Sequence, residues 1–295
     1  MKPMIKVKGM AGLDPKVAGP LLMLGAALGF TLMSTLVKLM PREYNTFHIG
    51  FIRCTGGLLV LLALSGRGKN PFGGHNIPLL VTRGCTGLSA FLSSAAALRL
   101  LPLSTAMVLF YSFPAFAAIF AFLIYRERIA PMEMLCIATV IAGVAVIFDF
   151  QLAGGIFGQA IAVVGGVFAG FTVTVIRSLR EKNGPVIIYL YFCLMGTLLT
   201  FPAFVMDPIL PASPGEWGMI LGIIASSVVA QLMMNQGFYF CRGWEGAVFM
   251  SSEVIFAAVV GILFMGDPVT WRFLLGTALV LGSVGVLNRL KAEAG

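Results

Sequence analysis

The sequence predicts an all-α membrane protein in which ten transmembrane helices form two inverted repeats of five. Three observations predict it. The chain is 59% hydrophobic and 11% charged over 295 residues, whereas soluble domains hold about 45–50% and about 25%. A motif recurs: Gly25-Ala26-Ala27-Leu28-Gly29-Phe30-Thr31 returns 141 positions later as Gly166-Val167-Phe168-Ala169-Gly170-Phe171-Thr172. The basic residues cluster on alternate connections between apolar runs, as in proteins oriented across a bilayer.

Taken in order, residues 1–17 form a cytoplasmic tail with Lys2, Lys6, Lys8 and Lys16. The tail resembles a signal-peptide n-region, but the apolar run from about Val17 to Val37 is too long for an h-region and lacks a small-residue cleavage site. It reads as a retained first helix. An apolar helix of about 20 residues crosses the hydrocarbon layer. The remaining spans are expected near 46–64, 78–98, 103–125, 133–149, 156–176, 186–206, 217–240, 245–265 and 270–288. Breakers fall between them: Ser65-Gly66-Arg67-Gly68, Pro102, Pro131, Gly154-Gly155, Asn183-Gly184-Pro185, Pro208 to Pro214 and Asp267-Pro268. The first repeat then covers 18–150, the second 151–290, and 291–295 is a C-terminal tail.

With the N-terminus in the cytoplasm, fifteen Lys and Arg fall on that side, Arg83 among them, against four outside: Lys38, Arg42, Arg99 and Arg272. Both termini are expected in the cytoplasm of a cell with an inner (plasma) membrane. The net charge of +8 therefore orients helices; the aromatic–basic interleaving of nucleic-acid binders is missing.

The repeat extends beyond its first copy. Phe116-Ala117-Ala118 recurs as Phe256-Ala257-Ala258 at offset 140, where Glu127 becomes Asp267, and Val144 and Val146 become Val284 and Val286. Five spans followed by five related spans put the second half upside down, because five is odd. Inverted repeats place a binding site near the midplane. Glycines four apart let helices approach to backbone contact. The five cysteines stand singly, with no metal-type or disulfide spacing, and read as packing residues. His48 and His75 lack companions for a metal.

Local patterns add a resemblance. Leu101-Pro102-Leu103-Ser104-Thr105-Ala106 leads into the fourth span, Phe113-Pro114-Ala115-Phe116-Ala117 follows within it, and acidic residues close the fourth and ninth spans (Arg126-Glu127-Arg128 and Gly266-Asp267). Glu253-Val254-Ile255-Phe256-Ala257 has Val254 where Pro is frequent. Together with the five-plus-five layout, these make the chain resemble EamA-type ten-helix members of the drug/metabolite transporter superfamily. The resemblance covers nearly the whole chain. It implies transport, and leaves the cargo open among amino acids, riboflavin, nucleotide sugars, nucleosides, cationic drugs and metallophores.

Charges deep in a span are expensive and mark function. Glu253, near the middle of the ninth span, would bind a substrate ammonium or a proton, or else bond a neighbouring helix. Gln231 and Asn235 share a face of the eighth span, with Ser227 a turn earlier and Gln236 beside them. They line a cavity or join helices. In the first span Thr31, Ser34, Thr35 and Lys38 share a face; Lys38, at the outer end, would snorkel to the headgroups. Arg53, in the second span, reads as a structural or gating charge. Of the aromatics, Phe30 and Tyr111 stand in spans that the resemblance assigns to the cavity, where a ring stacks on a planar group or holds a cation.

The substrate-binding set is thus Glu253, Asn235, Gln231, Gln236, Tyr111, Phe30 and Thr31, with Arg53 and Lys38 as gating or structural charges. No Walker lysine, G-x-S-x-G or H-E-x-x-H motif is found, so neither enzyme activity nor a cofactor is expected. The expected function is secondary transport, export favoured, of a small polar metabolite such as an amino acid or related amphiphile. Uptake of a vitamin such as riboflavin, exchange of nucleotide-linked metabolites, and a non-transporting scaffold or enzyme are the alternatives. Expected partners are the substrate, the bilayer, protons and a second copy in a homodimer, with no nucleic acid.

Overall fold

The computed structural model describes residues 15–64, 71–126, 130–147, 155–240, 246 and 249–293. Among them the regular structure is helical. The order is α1 (Pro15–Leu39), α2 (Thr46–Leu64), α3 (Ile77–Leu100), α4 (Leu103–Phe110), α5 (Phe113–Tyr125), α6 (Pro131–Ile147), α7 (Gly155–Arg180), α8 (Pro185–Met206), α9 (Pro214–Phe240), α10 (Ser252–Met265) and α11 (Trp271–Glu293). Prolines open several of these helices, where a missing N–H costs nothing. Asn76 starts α3, its side chain accepting from Leu79 N at 3.3 Å. Gly266 ends α10 with φ 68°, and Asp267 N donates back to Gly261 O at 3.0 Å.

Among the described residues six stretches are long and apolar enough to cross a membrane: Val17–Leu39, Thr46–Leu64, Leu103–Tyr125, Gly155–Arg180, Pro185–Met206 and Pro214–Phe240. This is a multi-pass membrane protein, and its large outward side chains (Leu28, Leu32, Leu59, Leu199, Leu221, Leu263, Phe264) suit lipid rather than water. The other four expected spans correspond to α3, α6, α10 and α11. Helices α6 and α10 have only 17 and 14 residues. Thr82, Arg83, Thr86, Ser89, Ser93 and Ser94 make α3 more polar than its neighbours.

The expected fourth span is broken, a finding the sequence reading did not foresee. The chain turns at Tyr111-Ser112 between α4 and α5. Pro114 has no N–H to offer Phe110 O, so the helix cannot continue unbroken. The equivalent place in the ninth span is a turn at Ser251, just before α10.

Packing fixes relative directions. On α2 and α8 the partners run oppositely: Gly50 lies against Thr200, Cys54 against Gly196, and Gly57 against Cys193. The Thr55 and Thr197 hydroxyls meet at 3.3 Å, and His48 bonds Asp207 O. The two Cys-x-x-Gly segments grip each other reciprocally, as a two-fold axis requires. Of the five cysteines expected to be packing residues, Cys54 and Cys193 fill that seam; Cys241 lies outside the described residues. Helix α10 likewise runs against α4, with Ser104 near Gly261 and Tyr111 near Glu253. Antiparallel pairings also join α1 to α9 (Gly29 on Ala230, Leu36 on Gly222) and α3 to α7 (Thr86 on Thr172, Ser93 on Gly165).

The repeated glycines meet different partners. Gly29 faces Ala230 of α9, while Gly166 and Gly170 face the break between α4 and α5; a Cβ on Gly170 would lie 2.8 Å from Ala117 N and 2.9 Å from Phe113 O. One motif thus supports two close contacts that are not copies of each other.

Hydrogen bonds tie the two halves at both ends. At one end Tyr44 Oη donates to Glu216 Oε2 at 2.8 Å, and Asp267 Oδ2 accepts from Ser104 N and Oγ, each at 2.8 Å. Burial and the neighbouring Glu216 carboxylate push the Tyr44 phenol up to about 12, so it stays a donor at ordinary pH. At the other end the Asn183 amide exchanges bonds with His75 N and O (2.7 and 3.0 Å), and Tyr191 Oη donates to Phe72 O at 2.9 Å.

Candidate functional site

Between the halves lies a cavity of about 120 Å³, lined from α1, α2, α3, α4, α5, α7, α8, α9 and α10, with Tyr111 at the α4–α5 break. Its walls are mostly aromatic and apolar, as ligand sites are. The polar groups are few and converge: Ser34, Arg53, Arg83, Ser94, Tyr111, Thr172, Gln231 and Glu253.

Glu253, at the second position of α10, is 5% exposed. Tyr111 Oη donates to its Oε2, and Ser34 Oγ donates to its Oε1 at 3.4 Å. Both donors belong to the first half of the chain. The break at Tyr111-Ser112 lets the phenol turn out of α4, and Ser251 marks the corresponding break beside the carboxyl. One carboxyl group is therefore held by two donors across the seam, ready to exchange them for a cation or to carry a proton.

Arg53 and Arg83 enter from α2 and α3, 2% and 1% exposed. The Arg53 guanidinium carbon lies 4.1 Å from the Phe91 ring centre and 5.1 Å from that of Phe192; Arg83 lies 4.8 Å from the same Phe192 ring. Ring faces stabilise such cations electrostatically. Arg83 Nη2 also donates to Gln231 Oε1 at 2.9 Å. Arg53 Nε, Arg83 Nε and Arg83 Nη1 are buried without a hydrogen-bond partner.

Of the residues expected in the site, Glu253, Tyr111, Phe30, Gln231 and Arg53 come together at this cavity. The structure places the others elsewhere. Thr31 Oγ1 donates to Ala27 O of its own helix at 2.9 Å, Asn235 Nδ2 to Pro185 O at 3.3 Å, and Gln236 Oε1 accepts from Arg180 Nη2 at 3.3 Å. Thr31 and Gln236 are thus engaged within the packing, and Asn235 through Nδ2 only, its Oδ1 being buried without a partner. Lys38 does not snorkel: its Nζ donates to Leu98 O and Leu101 O at 3.1 and 2.6 Å. The orphan carbonyls ending α3 attract a cation.

Arg83 was missed. The charge count treated it as a cytoplasmic loop residue, although it stands inside the stretch expected as the third span. Its position there, within residues 78–98, was the available signal. Moving it leaves the charge bias intact. Ser34 and Phe192 are also not among the cavity residues expected from the sequence; Ser34 shares the polar face of the first span with Thr31, which is named instead, and nothing in the spacing of Phe192 distinguishes it. Trp244 and Glu127 lie outside the described residues. Among the described residues, no group of His, Cys, Asp and Glu is arranged to hold a metal ion.

Comparison with known proteins adds the following. Residues 17–149 and 156–289 each match the EamA-like transporter family. The pseudopaline exporter CntI of Pseudomonas aeruginosa is 26% identical over 280 residues, covering 95% of this chain and 99% of that protein. Human solute carrier family 35 member G1 is 23% identical over 291 residues, covering 88% and 78%. A solved crystal structure superposes with a TM-score of 0.70 at 17% identity, covering 93% of this chain and 98% of that one. That likeness concerns the fold alone.

Proposed function

The chain belongs to the EamA-like transporter family, and from that premise we propose that it is a secondary carrier moving a small polar metabolite, such as an amino acid or related amphiphile, by alternating access. In this reading ten spans form two inverted halves, residues 18–150 and 151–290, in an inner membrane with both termini cytoplasmic. The antiparallel pairing of α2 with α8, and of α4 with α10, supports the inversion. Export is the favoured direction, in keeping with the name of the Pseudomonas relative.

The observation that carries the reading is Glu253 held across the seam by Tyr111 and Ser34, in a cavity lined from both halves. A substrate that takes over the carboxyl releases two bonds between the halves at once. Binding then couples directly to their relative movement, as a carrier requires, because a ligand shifts a conformational equilibrium only through differential contacts. A scaffold has no use for such a site.

Counterflow is the test. Purified protein in liposomes loaded with unlabelled amino acids should accumulate the labelled compound transiently and saturably. The absence of saturable exchange across amino acids, riboflavin and nucleotide-linked compounds would remove the carrier reading in favour of a scaffold.

A further inference from the structure

We infer that Arg53 and Arg83 form a carboxylate clamp, and that the cargo is an anionic amino compound with more carboxylates than amines. The inference rests on the carrier reading above and narrows its substrate class.

Two buried guanidinium groups flank one ring, Phe192, at 5.1 and 4.8 Å. Among the described residues neither forms an ion pair, and three of their nitrogens, with four N–H groups, are buried with no acceptor. Arginine is charged at any ordinary pH. Unpaired buried charge is costly, and buried donors without acceptors are rare enough to require a reason. Carboxylates bind at guanidinium edges, through N–H donors. The three unpartnered nitrogens carry such donors, and both side chains line the cavity. Gln231 holds Arg83 by Nη2, which leaves Nε and Nη1 for a ligand.

Charge decides the class. Among the described residues, the cavity lining contributes two guanidinium groups and a single carboxyl, Glu253, which already accepts from Tyr111 and Ser34. With Glu253 ionised, the lining keeps one positive charge in excess. A neutral amino acid leaves that excess in place. A compound with two carboxylates and one ammonium neutralises it, with carboxylate on the arginines and ammonium on Glu253.

The test compares L-glutamate, L-glutamine and O-phospho-L-serine in counterflow by wild-type protein, Arg83→Gln, Arg83→Lys and Arg53→Lys. Glutamate should be exchanged with a kcat/KM at least about 30-fold above that of glutamine, the scale of a desolvated charge pair. Arg83→Gln should collapse that ratio toward one, and the two lysine variants should retain part of it. A merely structural arginine would lower both rates together and leave the ratio unchanged; that result overturns the inference. So does wild-type exchange of glutamine as fast as glutamate, which leaves the carrier reading standing. Preference for O-phosphoserine over glutamate overturns the carboxylate assignment in favour of a phosphate. No exchange of any compound by folded protein removes the carrier reading and the clamp with it.

Discussion

Glu253 has both carboxyl oxygens engaged by donors from the opposite half of the chain, Tyr111 and Ser34. Glutamine in its place keeps the size and one of the two acceptor oxygens but can neither hold a charge nor carry a proton. We therefore expect Glu253→Gln to fold, to lose counterflow by about 30-fold or more, and to lose pH dependence in what remains. Wild-type rates with an unchanged pH profile would retire this carboxyl as a working group. This residue was legible in the sequence because a charge deep in an apolar run demands a partner. The same rule applied to Arg83 would have found it, but a loop-charge count absorbed it first. Asn235 and Gln236 show the converse error source: amides on a span bond Pro185 O or Arg180 as readily as a ligand. Periodicity names a face of a helix and says nothing of what covers it.

At the scale of the helix, small residues have opposite consequences according to what they touch. A Cβ added at Gly170 meets the backbone of α5, Ala117 N and Phe113 O, at 2.8 and 2.9 Å. Backbone cannot swing away, so overpacking of about 1–3 kcal/mol should exceed the roughly 1 kcal/mol that alanine adds to helix propensity. At Gly25 the same atom meets only the thioether tip of Met233, which can move. Thermal unfolding in detergent should therefore show Gly170→Ala lowered and Gly25→Ala unchanged or raised; equal shifts would deny the difference in contact. A third change concerns a helix end. Arg126 closes α5 with φ 53°, where Gly266 closes α10 with φ 68°. A non-glycine residue pays about 1 kcal/mol in that region, so Arg126→Gly should raise stability by about that amount in the same assay. The glycine repeat was readable as close packing, but its two copies face different helices. Sequence offset alone cannot distinguish a conserved contact from a reused one.

At the scale of the whole molecule, two sets of bonds hold the halves together, one at each end of the cavity. Alternating access requires that they break in turn. Tyr44–Glu216 and Asp267–Ser104 close the end that the charge bias assigns to the outside, while Asn183–His75 and Tyr191–Phe72 close the other. None of these pairs could be read from the sequence, since the partners are 108 to 172 positions apart and no periodicity links them across the seam; what the sequence did carry was the two-repeat layout, which the family match to residues 17–149 and 156–289 supports. Removing the three bonds of the outer set, about 1 kcal/mol each, should shift the balance by roughly 150-fold toward an outward opening. Ser94, on the cavity wall, is the place to see it. In a background with the native cysteines replaced, Ser94→Cys should react slowly with a membrane-impermeant maleimide added outside cells. Tyr44→Phe with Asp267→Ala should raise that rate, and Asn183→Ala should lower it. Equal labelling in all three backgrounds would mean that these bonds hold the fold without gating the path, and the cavity would then have to open by some movement other than the rocking of two inverted halves.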